Sequence, residues 1–291
     1  MHPFDFVSPR TLDDAVAAMA GANGQARALA GGSDLIDQLR VGRRTASLVV
    51  DIKNIPEMQR LQYVPGEGLH IGAGVSCAAV YNYAPVAEHY PSVQDSTQLI
   101  GSIQIQNRAG IGGNVCNAAP SGDTIPPLIT YGGEAHIRGS SGWRKMPLED
   151  FFKGPGQNAL GPDELLVEIF LPEPPANSSG HYQRFIPREE MDIAVAGAAS
   201  MVAVEPGTNR CTQARVALAS VAPTPVRARE TEAALEGQVL TRDLVRQAAE
   251  LAPNSASPIN DVRGTVEYRR QLCKVLTRRT MEQCLNDLGI D

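Results

Sequence analysis

Two glycine pairs carry the clearest chemical signal in the chain. Gly31-Gly32 follows the short apolar segment Ala28-Leu29-Ala30 and precedes a helix signalled by Leu35, Ile36 and Leu39, while Gly112-Gly113 lies inside the amide-rich segment Gln104 to Asn117. A residue without a side chain lets its backbone N–H approach an anion closely, and a helix N-terminus adds favourable partial charge. Ser33, Asn114, Asn117, Ser121 and Thr124 offer neutral donors beside them. A pyrophosphate held between two such loops needs no basic residue, and neither tight loop contains one. Taken singly, each pair reads as a tight turn. Two pairs, each followed by small polar residues, point to a dinucleotide.

Two further groups leave a structural and a functional reading open. Asp123, just before the apolar run Ile125-Pro126-Pro127-Leu128-Ile129, suits a helix N-cap and also an acceptor for a ribose or adenine donor. Arg184, Arg188 and Asp192 read either as a solvated strand with a salt bridge of little energetic weight, or as a cation beside an electron-rich ring.

Other chemistries find little support. Gly72-Ala73-Gly74-Val75-Ser76-Cys77 imitates a G-x-G-x-x-G fingerprint, but Cys77 replaces the third glycine and no acid ends a second strand about 20 positions on. It reads as a strand-to-helix turn with a small share of a cofactor wall. In Gly154-Pro155-Gly156 the proline removes a donor. Gly31-Gly32-Ser33-Asp34-Leu35 lacks the last glycine of a nucleophile elbow. The five histidines form no i, i+4 pair, and the five cysteines contain no C-x-x-C. Cys273 and Cys284, on one helix, would lie about 16 Å apart and cannot share a metal. With 26 basic and 32 acidic side chains, a net charge of −6 offers no footprint for nucleic acid or an anionic membrane. The longest apolar stretch, Ile193 to Val204, is well short of the about 20 residues of a membrane span. Met1 to Phe6 lacks the regions of a signal peptide, so a cytoplasmic, soluble protein is expected.

The elements that must position these residues divide the chain into an N-terminal lobe (1–55), a second lobe (56–172), a linker (173–180) and a C-terminal domain (181–291). Thr11 caps a helix with Leu12, Ala15, Val16 and Met19 on one face. Leu48 to Ile52 and Leu69 to Ile71 read as strands, with helices near 76–88 and 91–100. Segment 104–117 has no helical apolar stripe and is expected as an ordered loop or a loop joining short strands. Beyond the proline-rich linker, strands at 181–187, 193–204 and 211–221 precede helices at 225–236, 241–251 and 263–288. That order indicates an α+β domain with an antiparallel sheet covered by helices.

Together these residues resemble the FAD-binding medium subunit of the xanthine dehydrogenase / carbon monoxide dehydrogenase family of molybdenum hydroxylases. Ala30 to Leu35 is similar to the family's first pyrophosphate loop. Gly110 to Asp123 is similar to its second, with Asp123 at the adenosine-side acid. Gly161 to Leu166 resembles the strand that brings an apolar side chain to the flavin. Arg184 to Ala194 resembles the segment passing the isoalloxazine, and Ser257 to Arg270 the start of the C-terminal helix. The resemblance implies an α+β chain: a two-lobed FAD-binding domain of the vanillyl-alcohol-oxidase-like (PCMH) type, then an antiparallel sheet with helices. It implies FAD held by Leu29, Ala30, Gly31, Gly32, Ser33, Asp34, Leu35, Ala109, Gly110, Ile111, Gly112, Gly113, Asn114, Asn117, Ser121, Asp123, Leu166, Arg184 and Ile193, with no catalytic residue or metal ligand in this chain. It also implies a small subunit with two [2Fe–2S] clusters and a large molybdopterin subunit, joined in a dimer of heterotrimers that passes electrons through FAD to an external acceptor. Ile193 stands where the carbon monoxide enzymes have tyrosine, and Arg188 to Ala194 is closer to the xanthine and aldehyde branch. A stand-alone FAD oxidase and a cofactor-free assembly module are the alternatives.

Overall fold

The first fifty residues alternate short apolar strands with short helices, and in a computed structural model, which describes residues 1–290, they form a parallel sheet. Its elements are β1 (Asp5–Val7), α1 (Leu12–Gly21), β2 (Ala26–Leu29), α2 (Leu35–Arg40) and β3 (Leu48–Asp51), with strand order β1-β3-β2. The Thr11 hydroxyl accepts the Asp14 amide at 3.2 Å, and Leu12, Ala15, Val16 and Met19 turn to the core. Each cap of this kind stabilises a helix by about 1 kcal/mol.

The second lobe is an antiparallel sheet of order β4-β5-β10-β6-β7, from β4 (Leu61–Val64), β5 (Gly68–Gly72), β6 (Glu134–Gly139), β7 (Gly142–Pro147) and β10 (Leu165–Pro172). Period-two alternation puts Leu69, Ile71, Ala135, Ile137, Ile169 and Leu171 in the core. His70, His136 and Glu168 share the opposite face, where each imidazole Nδ1 lies within 3.0 Å of Glu168 Oε1. Burial works to raise the Glu168 carboxyl, but the bonds from His136 and His70 prevail, with help from Arg60, and hold it at about 2.

Between β5 and β6 run α3 (Cys77–Tyr81), α4 (Ala84–His89), α5 (Pro91–Thr97), α6 (Ile103–Gln106), α7 (Ile111–Asn117) and α8 (Ile125–Thr130). A short hairpin, β8 (Phe152–Gly154) and β9 (Gln157–Asn158), precedes β10. Three expectations are corrected here. The helix expected over 76–88 is two helices, because Pro85 can begin a helix but not continue one. Segment 104–117 is not a loop: it contains α6 and α7, each too short to show a repeating apolar stripe, with Ile111 and Val115 as the single buried i, i+4 pair of α7. Asp123 does not cap α8; Thr124 holds that position, without a side-chain cap bond.

The C-terminal sheet has order β11-β12-β13-β14, from β11 (Ser178–Phe185), β12 (Ala196–Val204), β13 (Cys211–Ala219) and β14 (Val226–Arg227). Pairing begins at Ser178, inside the expected linker, where Ser178 meets Ala203. Helices α9 (Arg229–Leu235), α10 (Arg242–Ala249) and α11 (Val266–Asp287) follow. Every residue of β12 is buried, because α11 packs on this strand and α8 of the second lobe also reaches it. Its small residues permit this: a Cβ at Gly197 would lie 2.5 Å from the Tyr182 hydroxyl. Cys273 and Cys284 are buried in the C-terminal core. One apolar core runs from α1 through the second lobe and takes in Met201 and Ala217 of the C-terminal sheet. Among the described residues no helix is long and apolar enough to cross a membrane.

Candidate functional site

Three turns meet edge to edge because glycines let their backbones touch. After β2 the chain reverses at Gly32, whose φ of +79° suits glycine. A Cβ at Gly31 would lie 1.9 Å from the Arg108 carbonyl oxygen, and one at Gly112 2.5 Å from Ala73 Cα. The turn after β5 is joined to the second glycine segment by Ile111 N donating to Val75 O at 3.0 Å and Cys77 N to Ala109 O at 2.9 Å. The Gly72-Ala73-Gly74 segment thus serves mainly as packing surface, with Ala73 contributing to the cavity wall.

These turns enclose a cavity of ≈ 550 Å³. Ala30, Gly31, Gly32, Ser33, Asp34 and Leu35 line it from the first turn, Ala109, Gly110, Gly112, Gly113, Asn114 and Asn117 from the second, and Leu166 from β10. Strand register shifts between Leu166 and Glu168, and both Leu165 and Leu166 reach the wall. In α2 the bond from Ile36 N to Gly32 O (3.1 Å) leaves the amides of Ser33, Asp34 and Leu35 ahead of the helical ladder. In α7 the bond from Asn114 N to Gly110 O (3.1 Å) does the same for Gly112 and Gly113. Such amides need an acceptor. Gly113 is the most informative of these residues: a Cβ there would find only the Ala30 methyl, at 3.9 Å. The fold does not demand glycine at 113, so the space it leaves belongs to the cavity. Unpaired amides around room without a side chain fit a bound pyrophosphate.

The remaining expected residues lie outside the cavity wall. Leu29 packs under the Gly32 turn, Ile111 is in the core, and Ser121 is half-buried. Asp123 is buried and already committed: it accepts from the Tyr182 hydroxyl at 2.7 Å and from Arg184 Nη1. Burial pushes its carboxyl up, against the opposing pull of Arg184 and Tyr182. Arg184 is therefore the partner of Asp123 rather than an open cation, and ties the second glycine segment to β11. The exposed Arg188 pairs with the half-buried Asp192 at 3.5 Å, and Ile193 is 49% exposed in the connection from β11 to β12.

Several wall residues escaped the sequence reading. Arg27 and Arg44 line the cavity, as do Ile100, Ile105, Leu160 and Glu164. Glu164 is fixed by Arg144 at 2.6 Å and by the Gly161 amide at 2.6 Å, and the Arg144 bonds hold its carboxyl below the usual range. Gln38 Nε2 donates to Asn117 Oδ1 at 3.0 Å, bracing α2 against α7. Arg27 lies only a few residues before the first turn, which is a usable signal. Nothing local marks Arg44.

Comparison with known families decides the assignment. Residues 2–174 match the family described as "FAD binding domain in molybdopterin dehydrogenase", and residues 181–284 the "CO dehydrogenase flavoprotein C-terminal domain". The chain belongs to the FAD-binding medium subunits of the molybdenum hydroxylases. Among its relatives in this family, the carbon monoxide dehydrogenase medium chain of Afipia carboxidovorans is 32% identical over 281 residues, 96% of each chain. The xanthine dehydrogenase FAD-binding subunit of Escherichia coli O157:H7 is 29% identical over 290 residues, 98% of each. The fold superposes on a chain of carbon monoxide dehydrogenase from Hydrogenophaga pseudoflava with a TM-score of 0.92 at 28% identity, covering 98% of this chain and 99% of that one. This medium subunit is thus an α+β flavoprotein component of an oxidoreductase.

Proposed function

We propose that this chain is the electron-relay subunit of a cytoplasmic molybdenum hydroxylase. It would assemble with a small subunit carrying two [2Fe–2S] clusters and a large molybdopterin subunit, as a dimer of heterotrimers. FAD, when bound, supplies the redox centre that takes electrons from those partner centres and returns them to an external acceptor. The chain's own contribution is placement. The unpaired amides of Ser33, Asp34 and Leu35 and of Gly112 and Gly113 would bind the pyrophosphate, and Gly113 would leave it room. Leu165, Leu166, Ile100 and Ile105 would shield the aromatic parts from water. Asp123, Tyr182 and Arg184 would hold the second turn against the C-terminal sheet.

The observation that carries this reading is the meeting of two donor-rich glycine turns at one cavity whose wall contains no histidine. Of its two carboxylates, Glu164 is tied to Arg144 and Asp34 stands at the start of α2 beside the first turn's amides. That favours a relay over a stand-alone oxidase. The relatives' own names, "medium chain" and "FAD-binding subunit", support a multi-subunit setting. The test is to purify the tagged chain from its native host and assay iron, molybdenum and flavin together. Iron and molybdenum should accompany FAD in fixed ratio. Flavin-loaded chain free of both metals, turning over a reductant with oxygen unaided, would overturn the relay reading in favour of the oxidase.

A further inference from the structure

Two guanidinium groups share the cavity wall although neither belongs to a glycine turn. Arg27 is on β2 and Arg44 follows α2, and both line the cavity, as do Gly24, Asp34 and Pro162. Among the described residues, their hydrogen bonds all go to carbonyl oxygens. Arg27 Nη1 donates to Gly24 O at 2.9 Å and Ala26 O at 2.6 Å, and Arg44 Nη2 donates to Gly156 O at 3.3 Å. Arg27 Nε is buried without a partner.

Elsewhere in this acidic chain three buried guanidinium groups have found carboxylates, although the half-buried Arg215 has not. Arg269 meets Asp261 at 2.7 Å, Arg227 meets Glu232 at 2.8 Å, and Arg184 meets Asp123. At the cavity the opposite holds. Burial lowers the Arg27 pKa and the neighbouring Arg44 charge lowers it further, and among the described residues neither guanidinium makes a salt bridge to a carboxylate. Asp34 is the nearby acid: burial and Asp37 both push its carboxyl up, and Arg44 pulls it the other way. A fold keeps a partly buried cation beside a second one most readily when an anion completes the site. Guanidinium forks match phosphate oxygens in geometry as well as charge.

We propose that Arg27 and Arg44 recognise the phosphate-bearing half of the nucleotide, so that this site binds ADP by itself and separates FAD from riboflavin by charge. The proposal rests on the reading of the cavity as the FAD site and adds to it the basis of nucleotide selectivity.

The test is equilibrium titration of the flavin-free full chain with FAD, ADP and riboflavin, by calorimetry and by flavin fluorescence, at low and high salt. Arg44→Gln should weaken both FAD and ADP about tenfold or more at low salt and leave riboflavin binding as it was. The gap between wild type and variant should shrink as salt screens the charge, and Arg44→Lys should recover part of the loss. Arg27→Gln should behave alike if it folds. Because Arg27 also holds the Gly24 and Ala26 carbonyls, Arg44, with its single long bond to Gly156, is the deciding position. Wild type that binds FAD but not millimolar ADP would overturn the proposal, as would Arg44→Gln with unchanged FAD affinity; both leave the FAD site standing. Wild type that binds no FAD would remove the site and the proposal together.

Discussion

A methyl group added at Gly31 would sit 1.9 Å from the Arg108 carbonyl oxygen, whereas one added at Gly113 would meet nothing nearer than the Ala30 methyl at 3.9 Å. The two glycines thus answer to different demands, one from the protein's own backbone and one from whatever fills the cavity. Gly31→Ala is expected to destabilise the chain by about 3 kcal/mol, because two backbone segments must part to admit the new atom. Gly113→Ala, inside the first turn of α7, is expected to leave stability within about 1 kcal/mol of wild type or raise it, while weakening FAD. Urea denaturation and FAD titration of both variants separate the two effects. Equal destabilisation by both would show that Gly113 also serves the fold.

Among the elements, the junction of the second lobe with the C-terminal domain carries its own titratable clamp. His181 on β11 lies between Asp95 of α5, at 3.0 Å from Nδ1, and Asp287 of α11, at 2.6 Å from Nε2. Burial by itself would lower the imidazole pKa, but the hydrogen bonds and charges of the two carboxylates carry it above the ordinary value. A pKa raised on folding contributes stability that is complete below the unfolded value of about 6.5 and is lost as pH rises through the folded value. The urea midpoint should therefore fall as pH is raised from about 6 through the raised folded value, and His181→Gln should flatten that slope. A slope unchanged in the variant would assign the pH dependence to other groups. The sequence showed β2, the turn and α2, and the strands of the C-terminal sheet, because each has its own period and punctuation. It did not show α6 and α7, which are too short for a period to declare itself. Nor could it pair Asp123 with Tyr182 and Arg184, some sixty positions away, or bring Arg44 to a cavity whose first wall is built by Gly31. Such meetings depend on the closed fold, and local spacing carries no record of them.

For the molecule as a whole, a single apolar core joins α1, the second lobe and part of the C-terminal sheet, while a second core lies under α11. The cavity opens where the first two lobes meet, so its walls are fixed by the same packing that holds these lobes together. A ligand that binds only the folded form raises apparent stability by about 2.7 kcal/mol at a hundred times its Kd, so FAD should raise the melting temperature of the entire chain. The most direct test of the two-turn site compares wild type with Gly113→Asp, purified side by side, for flavin content, chromatographic identity of the released flavin and melting temperature without added flavin. A new carboxylate at 113 has open space around it and favours the N-terminus of α7, but it opposes a pyrophosphate through both size and charge. The expected result is FAD bound stoichiometrically by wild type, and a folded variant with intrinsic stability intact and its flavin gone. Normal flavin content in Gly113→Asp, or a wild-type chain that neither carries nor takes up FAD, would contradict the assignment.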